Sequence, residues 1–254
     1  MYCLATRKPL WIWWGGTVYT ERNVSPLKKI LRNFFKEYPK WISYGKTSTD
    51  YLLSIGIKRS RILQVQNTIN EQLFFNNKSF VWLNYPAPKI LFVGELVQRK
   101  GLDLLLNSIS RLRKNGYQFS LIIIGEGPEK SRYQSIVANH QLKQVYFLGS
   151  IPSHKVPKYY NAVDFMVFPT LHDVWGLVVN EALWSNLPVL SSKYAGASEE
   201  LLEPTYIFDP LDAKDFDIKM QMMHNTYKEF TTDFDKLINI EDVGKMIASE
   251  LKSD

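Results

Sequence analysis

The sequence has few of the features that mark secreted or membrane-spanning proteins. Its 254 residues include one cysteine, Cys3, so a disulfide framework is excluded and a reducing compartment is expected. It has no run of 18 apolar residues, which argues against a membrane-spanning helix. The apolar stretch PLWIWWGG (9–16) lacks the cleavage pattern of a signal peptide. Together these absences favour a cytoplasmic location.

Acidic residues are scarce in the first quarter of the chain. Residues 1–64 hold 12 Lys or Arg against 3 Asp or Glu, a net charge of +9, whereas residues 65–254 hold 19 against 22, a net charge of −3. Such asymmetry often accompanies an anionic partner, here a membrane surface or an anionic acceptor. We find no nucleic-acid recognition motif and expect no nucleic-acid partner. Ordinary solvated helix faces would explain the charge equally well.

Low-complexity tracts and internal repeats are absent, and 45% of the residues are hydrophobic, enough for a packed core. From Lys89 onward, apolar runs such as FSLIIIG (119–125) and DFMVF (164–168) are separated by helical patterns such as 102–116 and 177–186. Apolar runs without alternation are typical of parallel strands buried on both faces. The βα rhythm therefore predicts an α/β fold with a doubly wound parallel sheet.

The first 70 residues predict further βα units, but too few to close a complete domain. Three strands are expected within 9–16, 40–45 and 61–67, and two helices over 25–38 and 48–57. At the other end, residues 211–254 predict helices, of which the last either packs back across two domains or simply caps one. The resulting organisation has four parts: a partial N-terminal Rossmann-like domain (1–70), a linker (71–86), a C-terminal domain (87–210) and a helical segment (211–254).

Glycines and basic residues follow the predicted strands. In an open α/β sheet the ligand lies beyond the carboxyl ends of the strands, where we expect Gly94, Gly125 and Ile151 to face one crevice. Arg99 and Lys100 stand at a helix start, where free N–H groups and the helix dipole favour anions. This pattern suits a diphosphate, although a solvated turn would also explain the basic pair.

The stretch PTLHDVWGLVVNEAL (169–183) places two carboxylates around a glycine. Asp173 can accept hydrogen bonds from sugar hydroxyls, and Glu181 from both hydroxyls of a ribose. Gly176 would let a phosphate approach the backbone closely. Trp175, which precedes it in the loop, is predicted to be exposed. Taken singly, Asp173 could be a helix-dipole acid and Glu181 a surface helix acid. His172 has no His or Cys nearby in sequence, so we expect a hydrogen-bonding role in the loop and no metal.

Five motifs in this order resemble a known family: FVGELVQRKGLDLLL, IIIGEGPEKSRY, FLGSIP, YYNAVDFMVFPT and DVWGLVVNEAL. They resemble the nucleotide-sugar-binding half of the retaining, GT-B-fold glycosyltransferases of family 4. The resemblance is strong over residues 85–210 and weaker over 10–70, which is similar to the later part of the acceptor domain.

The resemblance implies transfer of a hexose from a nucleotide sugar to a saccharide or lipid-linked acceptor. It implies no metal and no cofactor, since the nucleotide sugar is a substrate. The family has two glutamates separated by seven residues; here Asp173 replaces the first, and Glu181 keeps the second. Glu181 would bind the ribose and Asp173 would orient the sugar, while Arg99 and Lys100 would neutralise the leaving diphosphate. The implied set that binds the nucleotide sugar is Gly94, Arg99, Lys100, Gly125, Ile151, His172, Gly176, Leu177, Val178 and Glu181.

Two departures from the family pattern stand out. Glu95 follows the first strand's glycine, where the family often has arginine on the diphosphate. The chain also begins past the first βα units of the acceptor domain, so the acceptor pocket is expected to be incomplete. An alternative is therefore a truncated or non-catalytic subunit that binds nucleotide sugar and needs a separate N-terminal half. A further alternative uses the basic N-terminal part for peripheral membrane contact.

Overall fold

The computed structural model describes residues 10–18, 21, 37, 39–75 and 79–252. The helix predicted over 25–38 lies outside these residues apart from Glu37, as do all seven Lys and Arg residues of the first 36 positions. Predictions that depend on that segment, including membrane contact through it, stay predictions. Among the helices within the described ranges, none is long and apolar enough to cross a membrane.

A small parallel sheet is formed by the N-terminal part of the chain. Its strands are β1 (Trp11–Trp14), β2 (Lys40–Tyr44) and β3 (Ile62–Val65), paired in that order. All three lie within the segments predicted as strands. The helix between β2 and β3, α1 (Gly45–Ser54), begins directly after β2, three residues before the predicted start.

The larger sheet has six parallel strands in the order β6-β5-β4-β7-β8-β9. Their bounds are β4 (Lys89–Val93), β5 (Ser120–Ile124), β6 (Val145–Gly149), β7 (Phe165–Phe168), β8 (Val189–Ser192) and β9 (Ile207–Phe208). The chain builds outward from β4 to β6 and then reverses from β7 to β9. This order leaves a crevice between the carboxyl ends of β4 and β7, where ligands bind in doubly wound sheets. The predicted fold class is confirmed.

Helices cover both faces of the larger sheet. They are α2 (Leu102–Lys114), α3 (Lys130–Asn139), α4 (Pro157–Tyr160), α5 (Leu177–Trp184), α6 (Gly196–Leu201) and α7 (Ala213–Thr226). Successive strand residues point to opposite faces, so Ile90 and Phe92 join one apolar cluster and Leu91 joins the other. Both faces are therefore buried, which explains why the strands read as unbroken apolar runs.

The chain crosses twice between the two sheets. The first crossing, residues 66–88, contains a short 3-10 turn, Glu71–Leu73, and the buried Phe74. The second leads to α8 (Ile240–Lys252), whose Val243 packs against Ile42 and Val65 of the small sheet. The last helix therefore packs against the small sheet, whereas α7 packs against the larger one; the choice between a helix that crosses two domains and a simple cap stays a prediction. The predicted domain boundaries themselves stay a prediction.

The two crossings are hydrogen-bonded to each other. The Gln66 side chain donates to the main-chain oxygen of Lys236 at 2.8 Å and accepts from the main-chain N–H of Ile238 at 2.9 Å. The Thr68 hydroxyl donates to the oxygen of Ile238 at 3.0 Å. The segments that join the sheets therefore run side by side.

Candidate functional site

A cleft of about 780 Å³ lies at the carboxyl ends of the strands, between the two sheets. The larger sheet contributes residues from the β4 and β7 loops, and the small sheet contributes the turn after β1 and the end of β2. Of the residues predicted from sequence, the cleft brings together Arg99, Lys100, His172, Asp173, Gly176, Leu177 and Val178. The predicted crevice at the switch point thus gathers most of the predicted set.

The basic turn after β4 is fixed by the loop after β7. Arg99 and Lys100 end a 3-10 turn that closes at Gly101, where the backbone is left-handed with φ +69°. The main-chain oxygen of Arg99 accepts hydrogen bonds from Leu171 N at 2.7 Å and Thr170 Oγ1 at 3.1 Å. These bonds bring the two basic side chains beside Asp173 at the switch point.

Asp173 is the counter-ion of both cations. Its Oδ2 lies 2.6 Å from Lys100 Nζ and 3.7 Å from Arg99 Nη1, and its Oδ1 accepts a hydrogen bond from Trp175 N at 3.3 Å. The Lys100 ammonium also lies 5.1 Å from the centre of the Phe168 ring. On this wall of the cleft two positive charges meet one negative charge, so the wall itself attracts an anion; Glu21, from the N-terminal part of the chain, also lines the cleft and balances the formal charge of the whole lining. The sequence predicted these three residues at one site, but not that they pair.

Gly176 begins α5 with its backbone at the edge of the cleft. Its φ of +95° is one that L residues rarely adopt, and a Cβ there would lie 2.7 Å from Phe168 Cε1. The first N–H groups of a helix have no partner within the helix, so those of Leu177 and Val178 are available at the cleft wall. An anion in the cleft can accept from them, favoured by the helix dipole.

Trp175 is buried, with 1% of its surface exposed, so the prediction that it is exposed is wrong. Its indole N–H donates to Asn180 Oδ1 at 2.7 Å, and the Asn180 amide donates to the main-chain oxygen of Asn67 at 3.3 Å. A hydrogen-bonded indole can be buried at little cost. The pair ties α5 to the first crossing, and Asn67 itself lines the cleft.

Glu181 is not among the described residues that line the cleft. It is three residues after Val178 and four after Leu177, on the same face of α5. The Tyr160 hydroxyl donates to Glu181 Oε2 at 2.5 Å. Burial raises the pKa of the Glu181 carboxyl, and the Tyr160 hydrogen bond partly opposes that rise. Burial likewise raises the pKa of Tyr160. The site role of Glu181 stays a prediction.

The remaining predicted residues line a second, smaller cavity of about 320 Å³. Gly94, Gly125 and Ile151 meet there with the acids Glu95 and Glu126. The loops after β4 and β5 pack so closely that a Cβ on Gly125 would lie 1.9 Å from the Gly94 oxygen. Gly94, Gly125 and Ile151 therefore line a depression of their own at the carboxyl ends of β4, β5 and β6, and their role in the site stays a prediction.

Sequence reasoning missed the contribution of the small sheet. Gly15, Gly16, Tyr44 and Asn67 all line the cleft. The signal was present, since the glycine pair follows directly after the apolar WIWW strand, where the strand-end rule applies equally.

His172 lines the cleft, and its main-chain oxygen accepts a hydrogen bond from Thr170 Oγ1 at 3.0 Å. Within the described residues, no group of three or more His, Cys, Asp or Glu could hold a metal ion. Metal independence stays a prediction.

Two curated relatives align over about two thirds of the chain. An uncharacterized glycosyltransferase of Methanocaldococcus jannaschii, MJ1178, is 24% identical over 181 residues, 68% of this chain and 46% of that protein. The O-antigen biosynthesis glycosyltransferase WbnH of Escherichia coli is 30% identical over 180 residues, 70% of this chain and 48% of that protein. The chain spans less than half the length of these relatives.

Solved structures share the fold over nearly the whole chain. HepE of Anabaena, solved in complex with UDP and glucose, superposes with a TM-score of 0.80 at 16% identity, covering 99% of this chain and 73% of that one. Sucrose-phosphate synthase of Thermosynechococcus elongatus superposes with a TM-score of 0.78 at 20% identity, covering 96% and 67%. The fold is therefore of the GT-B type, as predicted.

Residues 76–229 match the family described as glycosyl transferases group 1. The matched segment contains the six-stranded sheet, the basic turn and the Asp173–Glu181 stretch. The chain belongs to the glycosyl transferases group 1 family.

Proposed function

We propose that this chain transfers a hexose from a nucleotide sugar to a hydroxyl group of a saccharide or lipid-linked acceptor. The observation that carries the proposal is the anion-attracting wall of the cleft. Arg99, Lys100 and the start of α5 converge at the switch point of the larger sheet. That combination suits the diphosphate of a nucleotide sugar.

The proposed chemistry needs stabilisation of charge on the leaving group. As the bond between the anomeric carbon and the diphosphate oxygen breaks, negative charge develops on the diphosphate. Lys100, Arg99 and the N–H groups of Leu177 and Val178 would stabilise that charge. The acceptor hydroxyl would enter from the side of the small sheet, where Gly15 and Gly16 line the cleft. Its oxygen would attack the anomeric carbon on the face that the diphosphate leaves, and its proton would pass to the departing diphosphate oxygen, so the anomeric configuration is retained.

The comparisons support a nucleoside diphosphate as the leaving group. HepE was solved with UDP and with UDP-glucose, and its fold covers nearly all of this chain. We propose that Glu181 accepts from the ribose and Asp173 orients the sugar, with the loops at Gly94, Gly125 and Ile151 beside the nucleotide. The base and the sugar are left to experiment.

The test is calorimetric binding of UDP, GDP, ADP and their sugars to the purified chain. The double variant Arg99→Gln, Lys100→Gln removes both cations, and Lys245→Gln is the control, because Lys245 is an exposed lysine paired with acids on α8. We expect one nucleotide to bind, the control to match the wild type, and the double variant to lose at least about tenfold in affinity. Equal binding by the double variant would refute the assignment of the anion site.

Turnover distinguishes the enzyme from the subunit alternative. Transfer of sugar by the chain alone, with an anomeric NMR signal of the same configuration as in the nucleotide sugar, would support the retaining transferase. Binding without turnover across an acceptor panel would instead favour a nucleotide-sugar-binding subunit.

A further inference from the structure

Tyr160 is a buried phenol with one polar contact among the residues that the structure describes. Its side chain is 1% exposed and packs edge-on against Phe74, with ring centroids 5.6 Å apart. Its hydroxyl donates to Glu181 Oε2 at 2.5 Å. A phenol so enclosed has little freedom to rotate, so the oxygen that it contacts is held in a fixed position.

The two oxygens of the Glu181 carboxylate differ in their contacts. Oε2 accepts from Tyr160, whereas Oε1 makes no hydrogen bond to any residue in the described part of the chain. A carboxylate has room for further bonds on each oxygen. Because Glu181 lies one turn after Leu177 and Val178, a ligand group that passes the start of α5 can reach Oε1.

We propose that Tyr160 is a positioning residue for Glu181: its hydroxyl holds Oε2 and so presents Oε1 to the ribose hydroxyls of the nucleotide sugar. This inference rests on the proposed function and adds a residue to that site. Tyr160 comes from a different element, α4, before the strand that leads to the cleft. Nucleotide binding would therefore depend on a phenol that the ligand does not contact.

The protonation of Glu181 makes nucleotide binding depend on pH in a way that Tyr160 controls. Burial raises the pKa of Glu181, and the Tyr160 hydrogen bond, the one hydrogen bond that the described residues give this carboxyl group, lowers it. Removing the hydroxyl leaves burial unopposed, so the pKa rises further. As the pH falls, the Tyr160→Phe variant should protonate Glu181, and so lose nucleotide affinity, at a higher pH than the wild type does.

Tyr133→Phe is a matched control. Tyr133 is also fully buried, and its hydroxyl has no hydrogen-bond partner within the described residues. Both variants delete one buried phenolic oxygen, but only Tyr160→Phe deletes a bond to Glu181. A loss that appears in both variants would report packing, and a loss confined to Tyr160→Phe would report positioning.

The experiment measures binding of a nucleoside diphosphate and its 2′,3′-dideoxy analogue across pH. We expect the wild type and Tyr133→Phe to prefer the diol by about tenfold, and Tyr160→Phe and Glu181→Gln to lose most of that preference. If Tyr160→Phe keeps the wild-type preference and pH midpoint, the inference is wrong, whatever happens to its melting temperature.

A second readout does not depend on binding. The ¹³C shift of the Glu181 carboxyl, assigned with Glu181→Gln, reports its titration in the free protein. We expect a higher pKa in Tyr160→Phe and an unchanged one in Tyr133→Phe; equal values in Tyr160→Phe and the wild type would overturn the inference. Failure of the wild type to bind any nucleoside diphosphate would instead overturn the proposed function, which the double variant at Arg99 and Lys100 tests separately.

Discussion

The pairing of Asp173 with both cations predicts that this acid weakens the binding of a free diphosphate. Any anion that reaches Lys100 must share it with a carboxylate already 2.6 Å away. The substitution Asp173→Asn keeps the size of the side chain and removes its charge. We expect it to bind inorganic pyrophosphate more tightly than the wild type does.

The magnitude follows from Coulomb's law. A phosphate oxygen on the far side of the Lys100 ammonium would lie about 5 Å from Asp173 Oδ2, given a charge-assisted contact of about 2.8 Å. The Lys100 and Asp173 side chains are only 14% and 18% exposed, but the phosphate would lie on the solvent side of the pair, so we take an effective dielectric constant of about 40, between the surface and bulk values. The repulsion that Asn removes is then about 1.7 kcal/mol, or about 15-fold in Kd.

Isothermal titration with pyrophosphate is the assay, because this probe has neither base nor sugar. The matched control is Asp209→Asn, which breaks an acid–lysine pair of the same 2.6 Å length outside the cleft. The gain should also shrink as salt is raised from about 0.01 M to about 0.15 M, since screening weakens exposed charges. Affinity of Asp173→Asn equal to or below that of the wild type would mean that Asp173 does not compete with the anion.

Two further predictions concern the elements that shape the cleft. Gly176→Ala forces an L residue to φ +95° and brings its Cβ to 2.7 Å from Phe168, whereas Gly116→Ala meets a similar φ of +88° with no atom within 4 Å. We expect the free energy of unfolding in urea to fall by about 3 kcal/mol for Gly176→Ala and by about 1 kcal/mol for Gly116→Ala. Equal falls would refute the steric argument. Trp175→Phe leaves the buried Asn180 oxygen without its donor and should lower the free energy of unfolding by about 2–4 kcal/mol. Trp82→Phe, at a residue that is 82% exposed, should leave the stability almost unchanged. Similar melting temperatures for the two variants would contradict the burial of Trp175.

The sequence predicted the backbone of the site better than its side chains. Strand ends follow from the apolar runs, and the carboxyl ends of parallel strands meet at one edge, so Arg99, Lys100 and Asp173 could be placed together. The Lys100–Asp173 pair could not be predicted, because it depends on the hydrogen bonds that tie the two loops at Arg99. Sequence spacing gives proximity, but not which charges neutralise each other.

The burial of polar side chains also could not be predicted from the sequence. Trp175 stands between Asp173 and Gly176 in a loop, and such a position reads as exposed. Its burial depends on Asn180 and Asn67, the second of which is more than 100 residues away in the chain. The contact between Tyr160 and Glu181 could not be predicted either, because a tyrosine on a short helix indicates only core packing. The structure shows that its hydroxyl reaches Glu181.

Because α8 returns to the small sheet, no single break in the chain separates the two sheets into fragments that each keep their own helices. The small sheet takes part of its core from Val243, near the C-terminal end of the chain. A fragment that stops before the first crossing would leave Ile42 and Val65 uncovered, and a fragment that starts after it would carry α8 with no sheet to cover. The residues that line the cleft extend from Gly15 to Val178, but the small sheet that carries part of them needs α8 to complete its core. A fragment with an intact cleft therefore has to extend from β1 to α8.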